Sequence, residues 1–143
     1  MVERVLPDAS YVEITKRKKE VREDLKAALY LFEEKLIVSS ISGCFEVGEP
    51  TVLDANVSDM TLGETICDHL LQFDPNTPRR SQPYKLTDWA AYRVSGAPSV
   101  KSFESHCWMV DLSTVGDNSV VVRAQPRGRA LRCAQSLRDQ ELI

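Results

Sequence analysis

The sequence predicts an α+β fold, with helices packed on a mainly antiparallel sheet. Three observations predict it. Apolar residues recur at helical spacing in two separate stretches, near 18–35 and 61–73. Short runs rich in β-formers follow each of them. A turn phrase, "TVGDN", separates two such runs near the end of the chain and reads as a hairpin. The 143 residues fit one domain with one core, so 1–143 is read as a single unit with a tail at 127–143.

The first pattern is "KKEVREDLKAALYLFEEKL". Val21, Leu25, Ala28, Leu29 and Phe32 keep the spacing of one helix face, and no Gly or Pro interrupts them. The expectation is a helix over about 18–35. Its start would carry the basic cluster Lys16 to Lys19, which opposes the helix dipole. "LIVSSIS" then reads as a strand over 36–42. "CFEVGEPTVL" reads as a strand, a turn at Gly48 to Pro50, and a second strand.

A second helix is expected over about 61–73. Leu62, Ile66, Leu70 and Phe73 share a face, and Thr61 with Glu64 has capping-box spacing. "DPNTPRRSQPYKL", with three prolines, is a loop. "TDWAAY" makes a helical turn that points Trp89 and Tyr92 the same way. In "SGAPSVKSFE", Pro98 suits a first helical turn, Ser95 or Ser99 can cap it, and Val100 and Phe103 share a face. "SHCWMVDLS" and "SVVVRAQP" are the strands of the hairpin. The tail carries Arg127, Arg129, Arg132 and Arg138; a short helix and a frayed end both remain open.

Charge is unevenly distributed. Residues 1–40 hold eight acidic and eight basic side chains, and 79–143 hold ten basic and six acidic ones. Residues 41–78 hold seven acids and no Lys or Arg. This anionic block opposes nucleic acid as its partner, since phosphate would be repelled. It is compatible with a basic protein partner, but the charge pattern by itself favours a solvated face that keeps the chain soluble. Asp54, Asp59, Glu64, Asp68 and Asp74 are the candidate partner-binding residues.

Reaction chemistry has no local signature. There is no G-x-S-x-G, no G-x-G-x-x-G and no Walker pattern. Cys44, Cys67, Cys107 and Cys133 form no C-x-x-C, and reduced, partly buried thiols are expected. His69 with Cys67, and His106 with Cys107, would point apart on their elements, so neither a metal nor another cofactor is expected. The longest apolar run is Ala27 to Phe32, far short of the roughly 20 residues of a membrane span. The first ten residues contain no apolar signal core. A cytoplasmic, non-enzymatic protein is the expectation.

Taken together, "TLGETICDHL", "DWAAYRVSGAPSVKSFE" and the hairpin ending "VVVRAQP" resemble the immunity proteins of bacterial contact-dependent growth inhibition and related polymorphic-toxin systems. The resemblance covers about residues 60–126. It rests on Leu62, Gly63, Trp89, Tyr92, Ser95, Gly96, Ser99, Val100, Phe103 and Glu104. It implies a scaffold role for these positions. It also implies a protein that binds and neutralises a cognate toxin C-terminal domain in the cytoplasm, many such toxins being nucleases. Contact residues change with each partner and are not implied. Two other readings stay open: a small enzyme whose site gathers distant residues such as His69 or His106, and a nucleic-acid binder using Lys16 to Lys19 and the arginine tail.

Overall fold

The computed structural model describes residues 8–42, 45–75, 85–114 and 120–125. The fold is α+β: five strands form one antiparallel sheet in the order β3-β2-β1-β4-β5, with helices on both faces. The elements are α1 (Asp8–Val21), β1 (Lys26–Phe32), β2 (Lys35–Ser42), β3 (Phe45–Asp54), α2 (Asp59–Leu71), a 3₁₀ turn (Leu86–Asp88), α3 (Ala90–Ser95), α4 (Val100–His106), β4 (Trp108–Ser113) and β5 (Val121–Gln125).

The expected helix over 18–35 is overturned. A helix does occur there, but it ends at Val21, and Lys26–Phe32 is the central strand. The apolar spacing misled because a strand covered on both faces is apolar at nearly every position and so fits a helical template too. Ala28, Tyr30 and Phe32 enter one core, while Ala27 and Leu29 pack into the other. Arg22, at φ 59°, breaks the helix, and Glu33, at φ 55°, turns β1 into β2. The basic cluster therefore closes α1 instead of opening it. Lys18 and Lys19 stand in the last turn, where the helix dipole favours cations. Lys18 also donates to the carbonyl of Thr114 at 2.6 Å, tying the helix end to the sheet.

The turn expected at Gly48 to Pro50 is also corrected. Phe45–Asp54 is one strand carrying a bulge. Val38 pairs with Thr51 but Ser40 pairs with Val47, so β3 holds extra residues at Gly48 to Pro50. Gly48 supplies a φ of 71°, and Pro50 is tolerated because β3 is an edge strand. The second helix stands as expected but is shifted two residues toward the N-terminus. Its N-cap is Ser58, which accepts from the Thr61 N–H, and Asp59 complements the dipole in the first turn.

The remaining elements follow the expectation, except that α4 runs on to His106 and β4 begins only at Trp108. α4 is capped by Ser99, which accepts from the Ser102 N–H. β4 and β5 pair antiparallel from Met109–Gln125 to Ser113–Val121. The expected turn after Thr114, most of the proline-rich loop, and the tail 127–143 lie outside the described residues.

Two cores flank the sheet. One, under α1 and α2, holds Ile14, Leu25, Val38, Ile66, Leu70 and Phe73. The other, under α3 and α4, centres on Phe103. Tyr30, Phe32, Trp89 and Tyr92 surround Phe103 at centroid distances of 5.9, 5.2, 4.8 and 6.2 Å. Among the described residues no helix is long and apolar enough to cross a membrane.

Candidate functional site

The five candidate carboxylates do not converge on a point. Asp54 ends edge strand β3, and its carboxylate accepts from the Asn56 N–H. Asp59, Glu64 and Asp68 are exposed on α2. Asp74 follows that helix and is half-buried, with an interaction of its own. A thirteen-residue helix is about 20 Å long, so Asp59 and Asp74 stand at opposite ends of a stripe. Met60, Glu64, Asp68 and Gln72 recur every fourth residue along its outer side, and Met60 is 69% exposed. Glu49 is exposed on the neighbouring edge strand. The ion pairs Arg17–Glu20 and Lys18–Asp24 use none of these carboxylates.

Not every acid in the block faces solvent. Glu46 accepts from the Ser39 hydroxyl at 2.8 Å and from the Ala91 N–H at 3.3 Å, so it fastens α3 to the sheet.

Beneath the stripe, α2 is held by His69, only 2% exposed. The buried Ser40 hydroxyl donates to the His69 carbonyl at 2.6 Å. Its one proton is thereby committed, so at 3.0 Å it accepts from the imidazole Nδ1–H. Nε2 is then the acceptor and takes a hydrogen bond from the Thr51 hydroxyl at 2.8 Å. This assigns the neutral Nδ1–H tautomer. Burial lowers the His69 pKa from its ordinary 6.5, and the adjacent Asp68 carboxylate opposes that shift. Ser40 and His69 thus clamp α2 onto β2 and β3, and this pair offers no nucleophile to solvent.

The other residues with reactive groups are dispersed. His106 ends α4, exposed, with Nδ1 2.8 Å from the Ser102 carbonyl, and Cys107 follows it before β4; neither belongs to the strand expected to hold them. The Cys67 and Cys107 side chains are buried. Cys44 and Cys133 lie outside the described residues. Among the described residues no group of three or more His, Cys, Asp or Glu side chains could hold a metal ion. A cleft of about 420 Å³ opens between Glu23, Asp24, Lys26, Ser42, Phe73 and Pro75, and it holds neither histidine.

The resemblance positions divide between the two cores, and those from Trp89 to Glu104 gather around Phe103. Trp89, Ser95 and Phe103 are buried, and Tyr92, Val100 and Glu104 half-buried. Leu62 packs against the core under α2, where Gly63 is buried. The Ser95 hydroxyl donates to the Tyr92 carbonyl and accepts from the Ala97 N–H. Gly96 takes φ 80° to end α3, and the Lys35 ammonium donates to the Ser95 carbonyl at 2.7 Å beside it. The sequence reading missed the Ser40–His69–Thr51 clamp. Its only sequence signal was a histidine next to the apolar face of α2.

No protein-family model matches the chain, and a search of curated proteins gave no match.

Proposed function

We propose that this chain is a non-catalytic immunity protein that binds a cognate toxin C-terminal domain in the cytoplasm and neutralises it. The observation that supports this most is the anionic stripe along α2. Two of its carboxylates, Glu64 and Asp68, do little for the helix that carries them. Glu64 and Asp68, four residues apart on the same side, repel each other at a cost of about 0.2–0.5 kcal/mol. Asp68 also stands in the C-terminal half, where the dipole disfavours a negative charge. Charges that are a small burden on their own helix are well placed to steer an oppositely charged partner.

A basic toxin domain fits that field. Nucleases belong to this class because they must attract phosphate, and a nuclease is the activity we assign to the toxin. Binding would cover the toxin's active site or its access to substrate. The core under α2 and the His69 clamp would hold the stripe in one shape before binding, which lowers the ordering cost of association.

The test is co-expression with the toxin domain encoded beside this gene. A stable complex and restored growth are expected. Two proteins that do not associate, in cells that still die, would refute the reading.

A further inference from the structure

At the end of the sheet where β1 turns into β2, four apolar side chains stand in one cross-strand row. Leu53 pairs with Leu36, Leu36 with Leu31, and Leu31 with Trp108. Strand alternation puts all four on the face that α1 and α2 cover, since Val38, Leu29 and Val110 lie two residues further along the same strands and pack in that core. The row is less and less covered along its length. Leu53 and Leu36 are half-buried, Leu31 is 38% exposed and Trp108 is 54% exposed. The last turns of α1 are tied to the opposite end of this face, through Lys18 to the Thr114 carbonyl and Arg17 to the Phe73 carbonyl.

The border of the row is anionic. Glu33 and Glu34 are exposed in the β1–β2 turn. The Glu34 carbonyl accepts from the Ala55 N–H at 2.9 Å, which brings the segment from Asp54 to Asp59 against that turn. Lys35 lies between these acids in sequence, but its ammonium is drawn to Ser95 on the other face. An apolar centre with a charged rim is the anatomy of a protein interface, and tryptophan is among the residues most often dominant in one. An apolar surface alone would suit many occupants. The four carboxylates beside it select one that presents an apolar knob ringed by Lys or Arg.

We propose that the Leu53–Leu36–Leu31–Trp108 row is the apolar centre of the surface on which the basic toxin domain docks, with Glu33, Glu34, Asp54 and Asp59 as its rim. This deepens the function proposed above and rests on it. It also divides the labour: the α2 stripe attracts the partner, and the row at its N-terminal end holds it.

The experiment measures binding of the toxin domain encoded beside this gene to the full chain and to Trp108→Ala, Leu31→Ala and Val122→Ala. Val122 serves as the control because it is 51% exposed on the same face but stands across from Leu112, away from the row. Circular dichroism and thermal melting confirm that each variant folds. Trp108→Ala is expected to weaken binding by at least about 30-fold, chiefly through faster dissociation, with Leu31→Ala weaker in effect and Val122→Ala without one. Wild-type binding in both row variants overturns the inference while leaving the function standing. So does a wild-type dimer in sedimentation that Trp108→Ala converts to monomer, since the row would then receive a second copy of this chain. A wild-type chain that fails to bind the domain overturns both.

Discussion

The Nε2 of His69 on α2 lies 2.8 Å from the hydroxyl of Thr51 on β3. That contact and the Ser40 pair fix the helix bearing the anionic stripe to two strands at once. The folded state holds this imidazole neutral, with its pKa below 6.5. Below pH 6.5 the unfolded chain therefore binds a proton that the folded chain does not. Stability from this group is complete above that pH and is lost as pH falls through it, until the folded-state pKa is reached. Urea titrations from pH 7.5 to 5 should show the midpoint falling. The part of the fall due to this group should be absent in His69→Gln.

Thr51→Val keeps the shape of the side chain but removes the donor to His69. The imidazole acceptor would be left buried without a partner, at a cost of about 1–3 kcal/mol. Equilibrium unfolding measures it. An unchanged free energy would show that the clamp contributes nothing.

Gly96 is favoured by its backbone and stands close to a side chain. Its φ of 80° disfavours any side chain, and a Cβ there would sit 3.2 Å from the Lys35 ammonium. Gly96→Ala should destabilise by about 1–2 kcal/mol from the backbone alone. Pairing it with Lys35→Met removes the contact. In thermal melts the double variant should be less destabilised than the two single effects added together.

Phe103→Ala would open a cavity among four aromatic rings. The expected loss is about 3–5 kcal/mol, a large share of a total near 5–15 kcal/mol. Phe103→Leu should lose less, and the difference between the two in urea denaturation checks that packing is the cause.

Legibility in the sequence followed local determinism. α2 and α4 could be read because their apolar faces lie within a few residues; Ser99, Val100 and Phe103 suffice for α4 with its cap, whereas the cap of α2 is Ser58 and not the expected Thr61. The hairpin β4–β5 could be read because its strands are near neighbours in sequence. β1 could not, because a strand covered on both faces is apolar at nearly every position and fits a helical template as well, and the β4 partners that make it central lie 77 to 87 residues away. The bulge in β3 was invisible for the same reason: Gly48 and Pro50 give the same signal in a turn and in a bulge. Of the candidate surface, the charge was plain in the composition. The exposure of Met60 and Trp108, and the alignment of Leu31 with Trp108, needed the pairing of strands.

Charge reversal separates attraction from fold. Asp59→Lys, Glu64→Lys and Asp68→Lys together change the stripe by six charges on exposed positions. The variant should fold with a melting temperature close to that of the wild type. Association with the toxin domain should slow by about 10-fold or more at low ionic strength, and less in high salt. Stopped-flow mixing at two salt concentrations reads both effects.

The most direct test of the central claim is co-purification of the tagged chain with the proposed toxin domain, sought in the gene beside its own, scored together with growth. The account predicts a stoichiometric complex that survives washing, and cells that grow. Separate elution of the two proteins, with growth still arrested, would contradict it.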